Sequence, residues 1–123
     1  VSPLEPVTHA AIARIIASRA PQEAVGMLWR RPGEPEIVLE LSNISDEPTT
    51  SYAVRVNDIL KGIELLLGDD IGQTFDPGDL VVWHSHPSGS VGPSRGDMRA
   101  RLEDLTYMVV SPTPDGDLVV TEF

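Results

Sequence analysis

The segment His84-Ser85-His86-Pro87, with Ser94-Arg95-Gly96-Asp97 following, gathers side chains of metal-binding type within one short span; seven residues separate His86 from Ser94. It continues the apolar run Leu80-Val81-Val82-Trp83, which reads as a buried strand. Successive strand side chains alternate faces, so His84 and His86 project to one side, continuous with Val82. Two imidazoles one strand repeat apart can share a single metal ion through their ring nitrogens. Gly89, Gly92 and Pro93 let the chain turn sharply, and Asp97, in the first turn of the next helix, can then reach back as a third ligand. Two His and one carboxylate leave the fourth position of a tetrahedral zinc to water, the arrangement of a catalytic site. Bound zinc lowers the pKa of water from 15.7 toward roughly 7, so hydroxide becomes available at neutral pH.

Each part has a plainer reading. Ser94-x-x-Asp97 is also a capping pair, with Ser94 as N-cap and a carboxylate near the positive end of the helix. A His-x-His pair on a strand need not bind anything. The combination, at this spacing and after a buried strand, points to a metal site, and Asp97 can cap and ligate at once. A serine-nucleophile reading fares poorly, since no Gly-x-Ser-x-Gly elbow is present and the second histidine would be redundant. Ser85 should face away from the ligands in a structural role. His9, on the first helix, reads as a surface or partly packed residue.

The elements that would position this set can be read from periodicity and punctuation. Residues 6–19 form a helix, with Pro6 in its first turn, Pro21 beyond its end, and Val7, Ala10, Ala11, Arg14, Ile15 and Ser18 at helical spacing. Residues 23–30 and 36–41 read as strands around an Arg31-Pro32-Gly33 turn, and Tyr52–Val56 as a third. Asn57-Asp58 offers an N-cap for a helix over 58–67, whose Ile59, Leu60, Ile63, Leu66 and Leu67 form an apolar stripe. Asp69 to Gly78 is a polar loop. A helix from Ser94 to about Leu105 and strands over 107–110 and 118–121 complete the chain. Trp29, Trp83 and the apolar stripes belong to the core.

At 123 residues, 41% apolar and 23% charged, the chain fits one compact domain with one core. Nine Lys plus Arg against nineteen Asp plus Glu give a formal charge of -10, which disfavours nucleic acid and anionic membranes as partners. Arg95, Arg99 and Arg101 are the one obvious basic cluster. The absence of cysteine excludes a disulfide framework, a thiol nucleophile and thiolate zinc ligation. No stretch approaches the roughly 20 apolar residues that span a bilayer. The N-terminus lacks a secretory layout, so a cytoplasmic location is the default expectation. Starting at Val1 rather than Met fits a processed chain or one cut from a longer protein.

The pattern Glu…His-x-His-Pro-x6-Ser-x-x-Asp resembles the JAMM (MPN+) metalloproteases, isopeptidases acting on ubiquitin and ubiquitin-like proteins. Its counterparts here are Glu23, His84, His86, Pro87, Ser94 and Asp97. Glu23-x-x-Gly26 and Asn43…Pro48…Tyr52 match segments that come earlier in the family's order. The resemblance implies an α/β (α+β) fold, a cytidine-deaminase-like, MPN-type mixed sheet flanked by helices, with residues 1–123 as a single catalytic domain. It implies zinc on His84, His86 and Asp97, Glu23 as general base, and the Ser94 hydroxyl on the oxyanion; Glu5, Glu34 and Glu36 are fallback bases. It implies a protein or peptide substrate, such as the Gly-Gly end of a ubiquitin-like or sulfur-carrier protein. The family's long insertions have no room here, which suits a minimal prokaryotic, archaeal or phage-type member. Alternatives are a RadC-like protein, whose signature also includes Ser88-Gly89 and Pro93, a phage tail-associated peptidase, and a non-catalytic MPN interaction module. Sequence leaves the oligomeric state open.

Overall fold

The computed structural model describes residues 4–68 and 76–123. Of the loop expected over 69–78, residues 69–75 lie outside the described residues, and Pro77–Asp79 form a short 3-10 turn. The elements run α1 (Pro6–Arg19), β1 (Val25–Trp29), β2 (Ile37–Leu41), α2 (Val56–Leu67), β3 (Leu80–Ser85), α3 (Arg95–Ala100), β4 (Thr106–Pro112) and β5 (Leu118–Glu122). One five-stranded sheet has the order β2-β1-β3-β4-β5. Only the β3–β4 pair is parallel, and the chain between those strands carries the histidine loop and α3. This mixed α/β architecture is the expected MPN-like α+β fold.

The two faces of the sheet carry separate apolar clusters, as strand alternation requires. Ala24, Leu28, Val81, Trp83, Met108 and Val110 pack with Ile12 and Ile16 of α1. Val25, Met27, Trp29, Leu41 and Leu80 pack on the other face, with Ile59, Ile63, Leu66 and Leu67 of α2. His84 is in register with Val25 on one neighbour and Val109 on the other, so it sits in the middle of the sheet.

Gly26 is what lets the central strands close. A methyl group there would overlap the Leu39 carbonyl oxygen and the edge of the Trp83 indole. Gly26→Ala should therefore destabilise the protein by about 3 kcal/mol, the upper part of the usual overpacking range, as read by urea unfolding. An unchanged midpoint would mean that β1 and β2 have slack that the register does not suggest.

Four local expectations need correction. Helix α1 buries Thr8, Ile12 and Ile16, not the stripe containing Val7, which is 80% exposed; the wetter side of the helix also carries Ala and so mimicked an apolar face. Residues 52–55 are not a strand and Val56 already belongs to α2, because the Ala53 amide is taken by the Asn43 side chain instead of a neighbouring strand. Helix α2 begins after Arg55 with no side-chain cap, so the Asn57-Asp58 signal lies inside it, and Leu60 of its expected stripe is exposed. Helix α3 stops at Ala100, five residues early, where the Tyr107 hydroxyl accepts the Leu102 amide at 3.1 Å and turns the chain into β4.

Candidate active site

Strand β3 delivers His84 fully buried, and His86 follows one residue past its end with an 11% exposed side chain. Ser85 between them points into the opposite layer, where its Oγ accepts the Ala24 amide at 2.8 Å and its own amide donates to the Ala24 carbonyl at 2.9 Å. That double link ties the start of β1, and with it Glu23, to the histidine pair. Glu23 lies two residues before β1 and is 5% exposed, so it is not a solvated loop residue. One Glu23 carboxylate oxygen and one ring nitrogen from each histidine lie within 4.8 Å of one another, a grouping compact enough for a metal ion.

Asp97 faces the same rings. Its Oδ2 is 3.1 Å from Nε2 of His84 and 3.1 Å from Nε2 of His86. Ligand atoms at about 2.0–2.1 Å around a tetrahedral ion stand roughly 3.3 Å apart, so these separations match the edges of such a site. Asp97 is held there by the helix start, since its Oδ2 accepts the Ser94 amide at 2.8 Å and its amide donates to Ser94 Oγ at 3.0 Å. The capping box is thus also the device that aims the carboxylate.

The rings themselves test whether a cation fits. His86 Nδ1 lies 3.1 Å from the Ser90 carbonyl, to which it can only donate. Nε2, facing Asp97, then carries a lone pair whenever the ring is neutral. His84 is more telling: neither ring nitrogen has a hydrogen-bond partner, because the Asp97 oxygen is near Nε2 but out of line for an N–H bond. Orphaned buried polar atoms are costly, and lone pairs turned toward a carboxylate are satisfied by a cation between them. The Ser90 carbonyl, which also accepts from Ser111 Oγ at 2.6 Å, has the place of a partner that orients a metal-ligating imidazole. The residues present therefore fit a metal ion.

Burial and neighbours separate the charge states of the group. Burial pushes the His84 pKa down, with the adjacent Asp97 opposing. Burial pushes the Glu23 carboxyl up to about 7; His86 opposes and Asp97 adds to the rise. For Asp97 burial is the largest influence and raises the pKa, yet the Ser94 backbone hydrogen bond and then His84 prevail, leaving it below its ordinary value. Tyr52, its pKa pushed up to about 12 first by burial and then by Asp97, lays its ring 4.4 Å from the His84 ring at 30°.

Over 90 residues, 73% of its length, the chain is 31% identical to a protein of Thermus thermophilus described as a "Probable TtuB-protein conjugate cleaving protease". This similarity supports a JAMM/MPN-like family for the chain. No family model matches it. The chain spans 56% of that relative's length. All five motif side chains foreseen from sequence, Glu23, His84, His86, Ser94 and Asp97, gather in one place. His9 stays apart, 3.1 Å from Asp117. The fallback carboxylates are elsewhere too: Glu36 pairs with Arg30, Glu34 with Arg31, and the Glu5 amide with Glu36. Sequence reasoning missed the Ser90 carbonyl and the contact of the Tyr52 ring with His84. A backbone oxygen carries no residue-type signal, and Tyr52 stood in what read as a strand. No helix among the described residues is long and apolar enough to cross a membrane.

Ser94 serves two ends through different atoms, and truncation should separate them. Ser94→Ala is expected to weaken the start of α3 by about 0.5–2 kcal/mol, because the Asp97 amide loses its hydroxyl partner, but to lower metal affinity only slightly, because the Asp97 carboxylate keeps the Ser94 backbone amide. Thermal unfolding and zinc titration of the variant check the two effects separately.

Proposed function

We propose that the chain is a zinc-dependent hydrolase of amide or isopeptide bonds, with His84, His86 and Asp97 as metal ligands, Glu23 as general base and Ser94 as oxyanion donor. The observation that carries the reading is the single Asp97 oxygen 3.1 Å from two imidazole nitrogens, one of them on the buried, otherwise unpartnered His84 ring. Bound there, zinc would supply a Lewis acid and activate water at neutral pH.

The chain's own groups divide the remaining work. Two carboxylates share the site, and their environments push their pKa values apart, a pattern that separates roles. Asp97, held low, is suited to stay ionised as a ligand. Glu23, raised to about 7, is suited to take a proton from the attacking water and return it to the leaving amine. Ser94 Oγ accepts the Asp97 amide, so its own hydroxyl proton remains available for the developing oxyanion. A cleft of about 420 Å³, lined by Tyr52, Val54, Ile59, Leu102 and Tyr107, opens onto Ser94 and Asp97 and can take an extended peptide. The relative's description as a conjugate-cleaving protease favours a protein substrate, here the small-residue tail of a ubiquitin-like or sulfur-carrier protein joined through an amide.

The test offers zinc-loaded protein a panel: ubiquitin-like and sulfur-carrier fusions with a C-terminal Gly-Gly, and cell-wall peptides. Release of the fused partner after Gly-Gly is the expected result. Stoichiometric zinc with every fusion left intact would instead favour a non-catalytic module, and cleavage confined to cell-wall peptides would favour a tail-associated peptidase.

A further inference from the structure

We propose that Asn43 is the positioning residue that sets Glu23 and the Tyr52 ring against the histidine pair; its effect on catalysis rests on the hydrolase reading above. Asn43 follows the edge strand β2 by two residues, and none of its side-chain hydrogen bonds goes to a histidine. Its Nδ2 donates to the Glu23 carbonyl at 3.0 Å and the Ser51 carbonyl at 3.1 Å, with the Pro48 carbonyl farther off at 3.5 Å. Its Oδ1 accepts the Ser45 and Ala53 amides, both at 3.1 Å. The Ser51 and Ala53 contacts bracket Tyr52, whose ring lies on His84. Pro48, inside the same loop, also accepts the Glu23 amide at 2.7 Å.

Both polar groups of the Glu23 peptide therefore end in the segment that Asn43 organises. Residues 42–55 contain no helix or strand, so their shape depends on such side-chain bonds. A carboxamide alone combines two N–H donors with an acceptor oxygen in this short span; aspartate would keep the acceptor and lose the donors. From the opposite layer Ser85 fixes Ala24, so Glu23 is held from two sides and Asn43 supplies one of them. Displacing a reacting group by about 1 Å can cost 10²-fold in rate.

Two variants separate the halves of this device. Asn43→Ala removes both; Asn43→Asp leaves the Ser45 and Ala53 amides bonded and frees the Glu23 and Ser51 carbonyls. Amide hydrogen exchange on the metal-free protein should quicken at least tenfold at Glu23 in both variants, and at Ala53 in the alanine variant only, while Met27 in β1 is unchanged. Turnover is read on a ubiquitin-like protein whose C-terminal Gly-Gly is joined through an amide to aminocoumarin. Asn43→Asp should lower kcat by about 10–100-fold with zinc content retained. In a Glu23→Gln background the same change should cost nothing further, because the base through which it acts is already gone.

An equal loss in both backgrounds would make Asn43 merely structural and overturn the proposal, as would unchanged exchange at Glu23. If the wild-type protein does not turn over the probe, the hydrolase reading fails instead. The exchange pattern then decides alone whether Asn43 positions Glu23 and Tyr52.

Discussion

Replacing His84 with alanine is expected to abolish stoichiometric zinc binding and hydrolysis together. The imidazole is wholly buried, its nitrogens have no hydrogen-bond partner, and Asp97 Oδ2 stands 3.1 Å from Nε2. Loss of a supporting partner around a metal typically costs 10–100-fold in affinity, and loss of a ligand should exceed that, so more than about 10²-fold is expected. His86→Ala should behave alike, because its Nε2 is the same 3.1 Å from that oxygen. Competition with a chromophoric chelator measures the affinity, and far-UV circular dichroism checks that the variants fold. A His84→Ala protein with wild-type zinc affinity would place the metal elsewhere.

Glu23→Gln should do the opposite to binding and the same to rate. Zinc should be retained while kcat falls by about 10²–10⁴-fold, the usual contribution of a positioned acid or base. Stability supplies a second readout in the metal-free protein. The folded carboxyl titrates near 7 and its ordinary value is 4.5, so between these pH values the unfolded chain ionises while the folded one still holds its proton. The Glu23 contribution to stability must then fall as pH rises from about 4.5 to about 7 and level off above, for a total of up to about 3 kcal/mol, against an opposite rise up to about 6.5 from the depressed His84 ring. Glutamine does not titrate, so that component should vanish from the difference between the two proteins, and the variant should be the more stable one at pH 8. Urea unfolding across the pH series measures it. A base that destabilises its own fold is what a functional site, rather than a structural one, is expected to contain.

How much of this was legible beforehand follows from what kind of signal each feature leaves. Strand β3 announced itself through four consecutive apolar residues, and His84 and His86 inherited their common face from strand geometry alone. The capping signature of Ser94 and Asp97 is a local pattern, and the structure realises it in full. Helix α3 was read five residues too long because Leu102 and Leu105 continue an apolar spacing that tertiary contacts override; both residues line the cleft. Residues 52–55 alternate like a strand, yet the Ala53 amide donates to a side chain, a choice no periodicity encodes. The buried face of α1 was misplaced for a related reason, since alanine suits either side of a helix. What sequence conveyed least was the support around the ligands. The Ser90 carbonyl, the Asn43 carboxamide and the Tyr52 ring act from loops, where position depends on the whole fold.

The most direct test of the central claim is zinc K-edge X-ray absorption on protein loaded with one equivalent of zinc. Two imidazole rings with their outer-shell scattering, in a low-coordinate N/O shell at about 2.0–2.1 Å, are expected. A zinc shell without histidine scattering, or a six-coordinate shell of oxygen alone, would contradict a centre built on His84, His86 and Asp97.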